Sequence, residues 1–286
     1  MSSGTTSQTG VRKPTYVVSA TALFLSNPTE LWNYRDLFFL LTKRDLLATY
    51  KQTVLGPLWF FVQPMFASLV FSIIFGLIIR VPTGGLPFLV FFMAGFITWN
   101  LFFNCVNQVS LTFQTNRHTF QKIYFPRLIM PLSQITVNFL NFIAQFGVLL
   151  LIIGIYNMTG SRIVLSHRIL LIPLILFCLT IFALGLGCLI ASWTVKYRDL
   201  HMLVGYGLQL WMYASCVFFP ESIVPANLRW LVDLNPMAML ILATRSCLFG
   251  IEHYVLSIPA LVVLVLISIL GLWSFARAER NFTDTV

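Results

Sequence analysis

Six stretches of this sequence, 52–79, 81–116, 128–161, 169–195, 200–220 and 253–276, contain no Asp, Glu, Lys or Arg. A helix crossing the ~30 Å hydrocarbon core of a bilayer needs about 20 mainly apolar residues. A charge at the bilayer centre costs about 2.5–3.5 kcal/mol. Uncharged runs of this length are therefore what spanning helices require. Composition agrees, since 58% of the 286 residues are hydrophobic and 9% charged, against about 25% charged in a typical soluble domain. The expected fold is an all-α integral membrane protein with six transmembrane helices. Residues 1–29, rich in Ser and Thr and without the basic-then-apolar order of a cleaved signal, read as a flexible cytoplasmic tail. Residues 30–53 read as an amphipathic interfacial helix, 54–280 as the six-span domain and 281–286 as a short cytoplasmic tail.

Six spans place both termini on one side, and the basic residues say which. With the termini inside, Arg12, Lys13, Arg35, Lys43, Arg44, Lys51, Arg117, Lys122, Arg127, Lys196, Arg198, Arg277 and Arg280 are cytoplasmic. Only Arg80, Arg162, Arg168, Arg229 and Arg245 lie outside, as the positive-inside rule requires. The net charge of +9 is thus spread in small groups between apolar runs. A nucleic-acid reader gathers its basic residues on one water-facing surface, so nucleic acid is not an expected partner. The cysteines, Cys105, Cys178, Cys188, Cys216 and Cys247, form no C-x-x-C pair. They and the four histidines show no metal or catalytic pattern.

Residues 220–250, PESIVPANLRWLVDLNPMAMLILATRSCLFG, fit no simple span. Pro220, Pro225 and Pro236 punctuate the segment, and neither apolar half is long enough to cross. Two short helices dipping in from outside and returning suit it, because irregular backbone at membrane depth must be buried in protein or line a cavity. An amphipathic hairpin lying on the outer surface is the alternative. Elsewhere Gly84, Gly85 and Pro87 predict a tight external turn, and Ala183, Gly187 and Ala191 form a small-residue ladder for close helix packing.

The most informative stretch is 41–64, LTKRDLLATYKQTVLGPLWFFVQP. On a helical wheel Tyr34, Leu37, Phe38, Leu41 and Ala48 share a face, Arg35, Asp36 and Lys43 oppose it, and Asp45 intrudes. Such a helix would lie in the headgroup layer, with Gly56-Pro57 turning the chain into the first span.

Residues 44–64, RDLLATYKQTVLGPLWFFVQP, resemble the signature of ABC-2 type permeases that export bacterial surface polysaccharides, close to R-D-x-x-x-x-Y-[RK]-Q-[ST]-x-L-G-P-L-W-x-x-x-Q-P. KIYFPRLIMPL (122–132), KYRDLH (196–201) and DLNPMAMLILATR (233–245) resemble three further segments of that family. The resemblance covers about 30–280; the length of the N-terminal tail departs from it.

The resemblance implies a permease that dimerises with a second copy, pairs with two copies of a separate ATPase, and sits in a bacterial cytoplasmic membrane. It implies a lipid-linked polysaccharide as substrate. The chain itself holds no G-x-x-x-x-G-K-[ST], so ATP and Mg are expected on the partner and no cofactor on this chain. The uncharged runs also lack the acids on which proton or sodium coupling usually relies. Read alone, the internal loops are positive-inside anchors. With the resemblance, Arg44, Arg117, His118, Phe120, Lys122, Lys196, Tyr197, Arg198 and Asp199 become candidates for ATPase coupling. Spans one and five would line the channel, with Trp59, Phe66, Tyr206 and Tyr213 as candidate sugar-facing aromatics. Glu221, Arg229, Asp233, Asn235, Pro236 and Arg245 would form or brace an external gate. An exporter of small hydrophobic drugs would share the topology but not the signature. A membrane-embedded glycan transferase would need acids that the runs lack.

Overall fold

The computed structural model describes residues 28–51, 54, 56–116, 119–120, 125–197, 199–250 and 256–284. Among them all regular structure is helical. Two helices, α1 (Pro28–Asn33) and α2 (Arg35–Tyr50), precede α3 (Trp59–Phe71), which is prolonged by a π-helical segment, Ser72–Ile78. There follow α4 (Phe88–Ser110), α5 (Thr112–Thr115), α6 (Ile129–Met158), α7 (Ile172–Thr194) and α8 (Leu200–Tyr213). The chain ends with α9 (Arg229–Leu234), α10 (Pro236–Phe249) and α11 (Ile258–Asp284). The last helix continues through 281–284, where a tail was expected.

Five helices are long and apolar enough to cross a membrane: α3 with its π segment, α4, α6, α7 and α11. The fifth uncharged run, 200–220, departs from the expectation. It is helical only over Leu200–Tyr213, 14 residues and so about 21 Å, short of a ~30 Å core. The chain then turns, with Cys216 in the left-handed region at φ 55°. Residues 226–249 supply instead two helices bent by 93° about Asn235, the shape of a broken span or a re-entrant hairpin.

Helix α4 is the axis of the bundle. Its spanning window is 72% buried, against 11% for α3, which lies at the edge. It packs on α3, α6, α7, α8 and α10, and α7 pairs along its length with α11. Small residues set these approaches. At Gly187 a Cβ would sit 2.7 Å from Val109 Cβ, so the predicted ladder faces α4. A second contact was not anticipated: a Cβ at Gly271 would meet the backbone of Gly185, bringing α7 and α11 together backbone to backbone.

The expected turns are present. Gly56 adopts φ 51° at the entry to α3, and Gly84 and Gly85 adopt 64° and 89° before α4. Only glycine takes such angles without a steric penalty. Helix α2 presents apolar residues on two sides. Its predicted apolar face, from Tyr34 to Leu41, packs on Phe125, Ile129 and Met130 of the protein rather than facing lipid. Ala48 of the same face is exposed, and the apolar residues of α2 turned outward are Phe39, Leu40 and Leu47.

Candidate coupling platform, translocation face and hairpin

The α2 end of the bundle is knitted into one block. Leu41 is buried among Phe125, Ile129 and Met130, which fixes α2 to the start of α6. Thr194 Oγ donates to the carbonyl of Ser110 at 2.9 Å, and Gln114 Nε2 donates to the carbonyl of Thr194 at 3.1 Å. These bonds join the loop after α4 to the end of α7. Arg127 donates from its backbone N–H to Glu279 Oε1 (3.3 Å) and from Nη1 to the Glu279 carbonyl (2.9 Å), tying the same loop to α11. The ring of Phe113 stacks 4.8 Å from Phe275, and Phe120 packs on Phe113, Phe125 and the Arg127 guanidinium. Gln114, Arg127 and Thr194 thus each find a protein partner at this end, as buried polar groups generally do.

Of the candidate coupling residues, Lys196, Tyr197 and Asp199 are exposed at this end, with the Lys196 ammonium 5.2 Å from the Tyr197 ring. Arg44 is exposed and pairs with its neighbour Asp45 at 2.8 Å. Phe120 turns inward and braces the loop. Arg117, His118, Lys122 and Arg198 lie outside the described residues.

The candidate sugar-facing aromatics are open. Trp59, Phe66, Tyr206 and Tyr213 are 49, 69, 71 and 48% exposed. They belong to α3 and α8, two helices that leave much of their apolar surface uncovered. Phe218 joins these helices at the hairpin end, 4.9 Å from Phe71, 5.2 Å from Phe75 and 5.2 Å from Tyr213.

The hairpin turns on Asn235. Its Oδ1 accepts from the backbone N–H of Met237 (3.0 Å) and Ala238 (3.4 Å), capping α10, and from Trp211 Nε1 (3.1 Å). Its Nδ2 donates to the Ala214 carbonyl (3.1 Å) and Ser215 Oγ (3.2 Å). One side chain therefore starts α10 and ends α8, while Pro236 sits at the first helical position, where its missing N–H costs nothing. Arg245, 5% exposed, reaches back from α10. It donates to the carbonyls of Phe91 (3.2 Å), Cys216 (2.7 Å) and Val217 (2.5 Å), and its guanidinium lies 3.7 Å from the centre of the Phe91 ring. Arg229 and Asp233 are exposed at the hairpin surface, and Glu221 is half-buried. The expected gate set thus divides into buried braces (Asn235, Pro236, Arg245) and surface charges.

The model of the ABC-2 type transporter family matches residues 36–249, most of the chain. The chain belongs to that family. The permease is also 27% identical over 251 residues to the O-antigen export system permease protein RfbA of Klebsiella pneumoniae, covering 87% of this chain and 94% of that one. To the protein of the same name from Myxococcus xanthus it is 28% identical over 263 residues, covering 90% and 98%. The matched region takes in α2 and the hairpin.

Sequence reasoning on the permease missed three things. Arg127–Glu279 and Gln114–Thr194 join residues far apart in sequence and carry no local signal. The interior role of Arg245 did have one, because an Arg inside a half-apolar helix must find a partner. The close approach of Gly185 and Gly271 was signalled only by single glycines within apolar runs.

Proposed function

We propose that this chain is the permease subunit of an ATP-driven exporter that moves a lipid-linked polysaccharide of the O-antigen class outward across the cytoplasmic membrane. The relatives are O-antigen export permeases along almost their whole length, which supports the substrate class. Two copies would form the channel, with the open faces of α3 and α8 as its walls. Two copies of a separate ATPase subunit would supply ATP binding and hydrolysis with Mg. The positive-inside count supports an orientation with the α2 end in the cytoplasm and the hairpin outside.

The observation that carries the reading is the joined block at the α2 end. A partner that pushes on α2 or on either adjacent loop pushes α4, α6, α7 and α11 together, because hydrogen bonds and buried rings link them. That arrangement suits the transmission of rigid-body motion. Nucleotide binding on the partner would favour one conformer of the permease pair, and export follows as a population shift without any covalent step on this chain.

The test is deletion of the gene followed by localisation of lipid-linked polymer. The reading expects full-length polymer on the cytoplasmic leaflet and a bare surface. Surface polymer of unchanged amount and length would sink it and favour a small-molecule exporter.

A further inference from the structure

The half of α4 nearest the α2 end carries three asparagines, Asn100, Asn104 and Asn107. Spacings of four and three residues put them on one helix face. All three are partly exposed. Among the described residues their side chains make no hydrogen bond. Neighbouring amides behave differently. Asn138 Nδ2 donates to Gln108 Oε1 (2.9 Å) and to the Gln134 carbonyl (3.0 Å), and Gln134 Oε1 accepts from Thr112 Oγ1 (3.3 Å). Those groups hold α4 to α6, so the Asn strip is not needed as glue between helices.

Lipid offers nothing to such a strip, since a carboxamide facing hydrocarbon has no partner for its two donors or its acceptor. Asn is also a poor helix former, so three within eight residues of the most buried spanning helix are not a packing choice. Phe96 and Phe103 belong to the same face, giving the order Phe96, Asn100, Phe103, Asn107 along it with Asn104 alongside. Rings and amides alternating in this way match a sugar chain, whose C–H faces suit an aromatic ring and whose hydroxyls need both donors and acceptors. The position agrees. Towards the hairpin end α4 meets α3 through Phe92 and Phe71 (5.1 Å), and α8 through Trp99 and Trp211 (6.3 Å). The strip therefore lies on the helix that joins the two walls of exposed aromatics.

We propose that Asn100, Asn104 and Asn107 bind the hydroxyls of the moving glycan in the α2-end half of its path, with Phe96 and Phe103 taking its apolar faces. This rests on the reading of the chain as a polysaccharide permease.

A photo-reactive amino acid at position 104 of the full chain, co-expressed with its ATPase in polymer-making cells, tests the contact directly. Irradiation during export should shift the permease into a high-mass ladder that stains for the polymer. The same probe at Leu151, exposed on α6, should give none. Adducts at the mass of a permease dimer, or no glycan adduct while surface polymer is normal, would overturn the proposal. As a second readout, N100L/N104L/N107L should lower surface polymer at least about fivefold at unchanged permease level, and the matching Asn→Gln set should restore most of it. Wild-type export from the Leu variant would also overturn the assignment. A deletion strain that still displays polymer would sink the exporter reading itself. A bare deletion strain with no glycan adduct at 104 would sink the strip alone.

Discussion

Removing the guanidinium of Arg245 should loosen the junction of α4, α8 and α10 more than any other single polar change in the hairpin. The side chain serves three carbonyls, on Phe91, Cys216 and Val217, and caps the Phe91 ring. A charge-assisted hydrogen bond contributes about 1.5–3 kcal/mol and a desolvated cation–π contact about 2 kcal/mol. Burying the guanidinium costs several kcal/mol in return. The net loss on truncation is then about 3–5 kcal/mol, the usual range when one partner of a buried charged network is removed. Release of Cys216 from its strained left-handed backbone, φ 55°, which two neighbouring bonds from Arg245 hold in place, offsets part of that loss. Denaturant titration of the purified permease in bicelles should show R245A unfolding at a clearly lower midpoint with an unchanged slope. R245K should fall between, because an ammonium cannot present the same planar fork. Gly95 gives a sharper test, since a Cβ there would meet Arg245 Nη2. G95A should destabilise the wild type and be nearly silent in R245A, a coupling that a double-mutant cycle measures. A wild-type midpoint for R245A, or equal costs of G95A in both backgrounds, would refute the reasoning.

Three further outcomes follow from the contacts. N235A should lose about 2–3 kcal/mol in thermal denaturation through the lost cap and the lost tie to Trp211 and Ala214, while N235S should recover the cap's ~1 kcal/mol. G271A should cut the yield of folded protein sharply, whereas G147A, with nothing within 4 Å of its added methyl, should leave it unchanged or improved in fluorescence-detected size exclusion. R127A removes the bond to the Glu279 carbonyl, and reconstituted complexes should export less polymer per ATP hydrolysed.

Much of this architecture is legible in the sequence, and the failures have physical causes. Uncharged runs locate the spanning helices because the bilayer penalises charge wherever it occurs. Gly56, Gly84 and Gly85 announce their turns, and Asn235-Pro236 announces a helix start, because those signals are local. What covers each side of α2 was not legible because it carries two apolar sets, Leu37, Phe38 and Leu41 on one side and Phe39, Leu40 and Leu47 on the other. Periodicity shows that a face is apolar but does not say whether protein or lipid covers it. The early end of α8 was hidden for a different reason. Residues 214–219 are as apolar as a span, and the turn there is held by Arg245, which comes some 30 residues later. The candidate site divides in the same way: motifs nominate loop residues at the α2 end, while the pairings that make one block of that end depend on contacts across the bundle.

The most direct measurement of the central claim uses inverted membrane vesicles that contain the permease, its ATPase partner and lipid-linked polymer, with an added glycosidase reporting which polymer remains outside. ATP should render polymer resistant to the enzyme, with a rate that falls to background when Leu41→Asp detaches α2 from Phe125, Ile129 and Met130. Polymer that stays fully digestible in the presence of ATP and an active ATPase would contradict that claim.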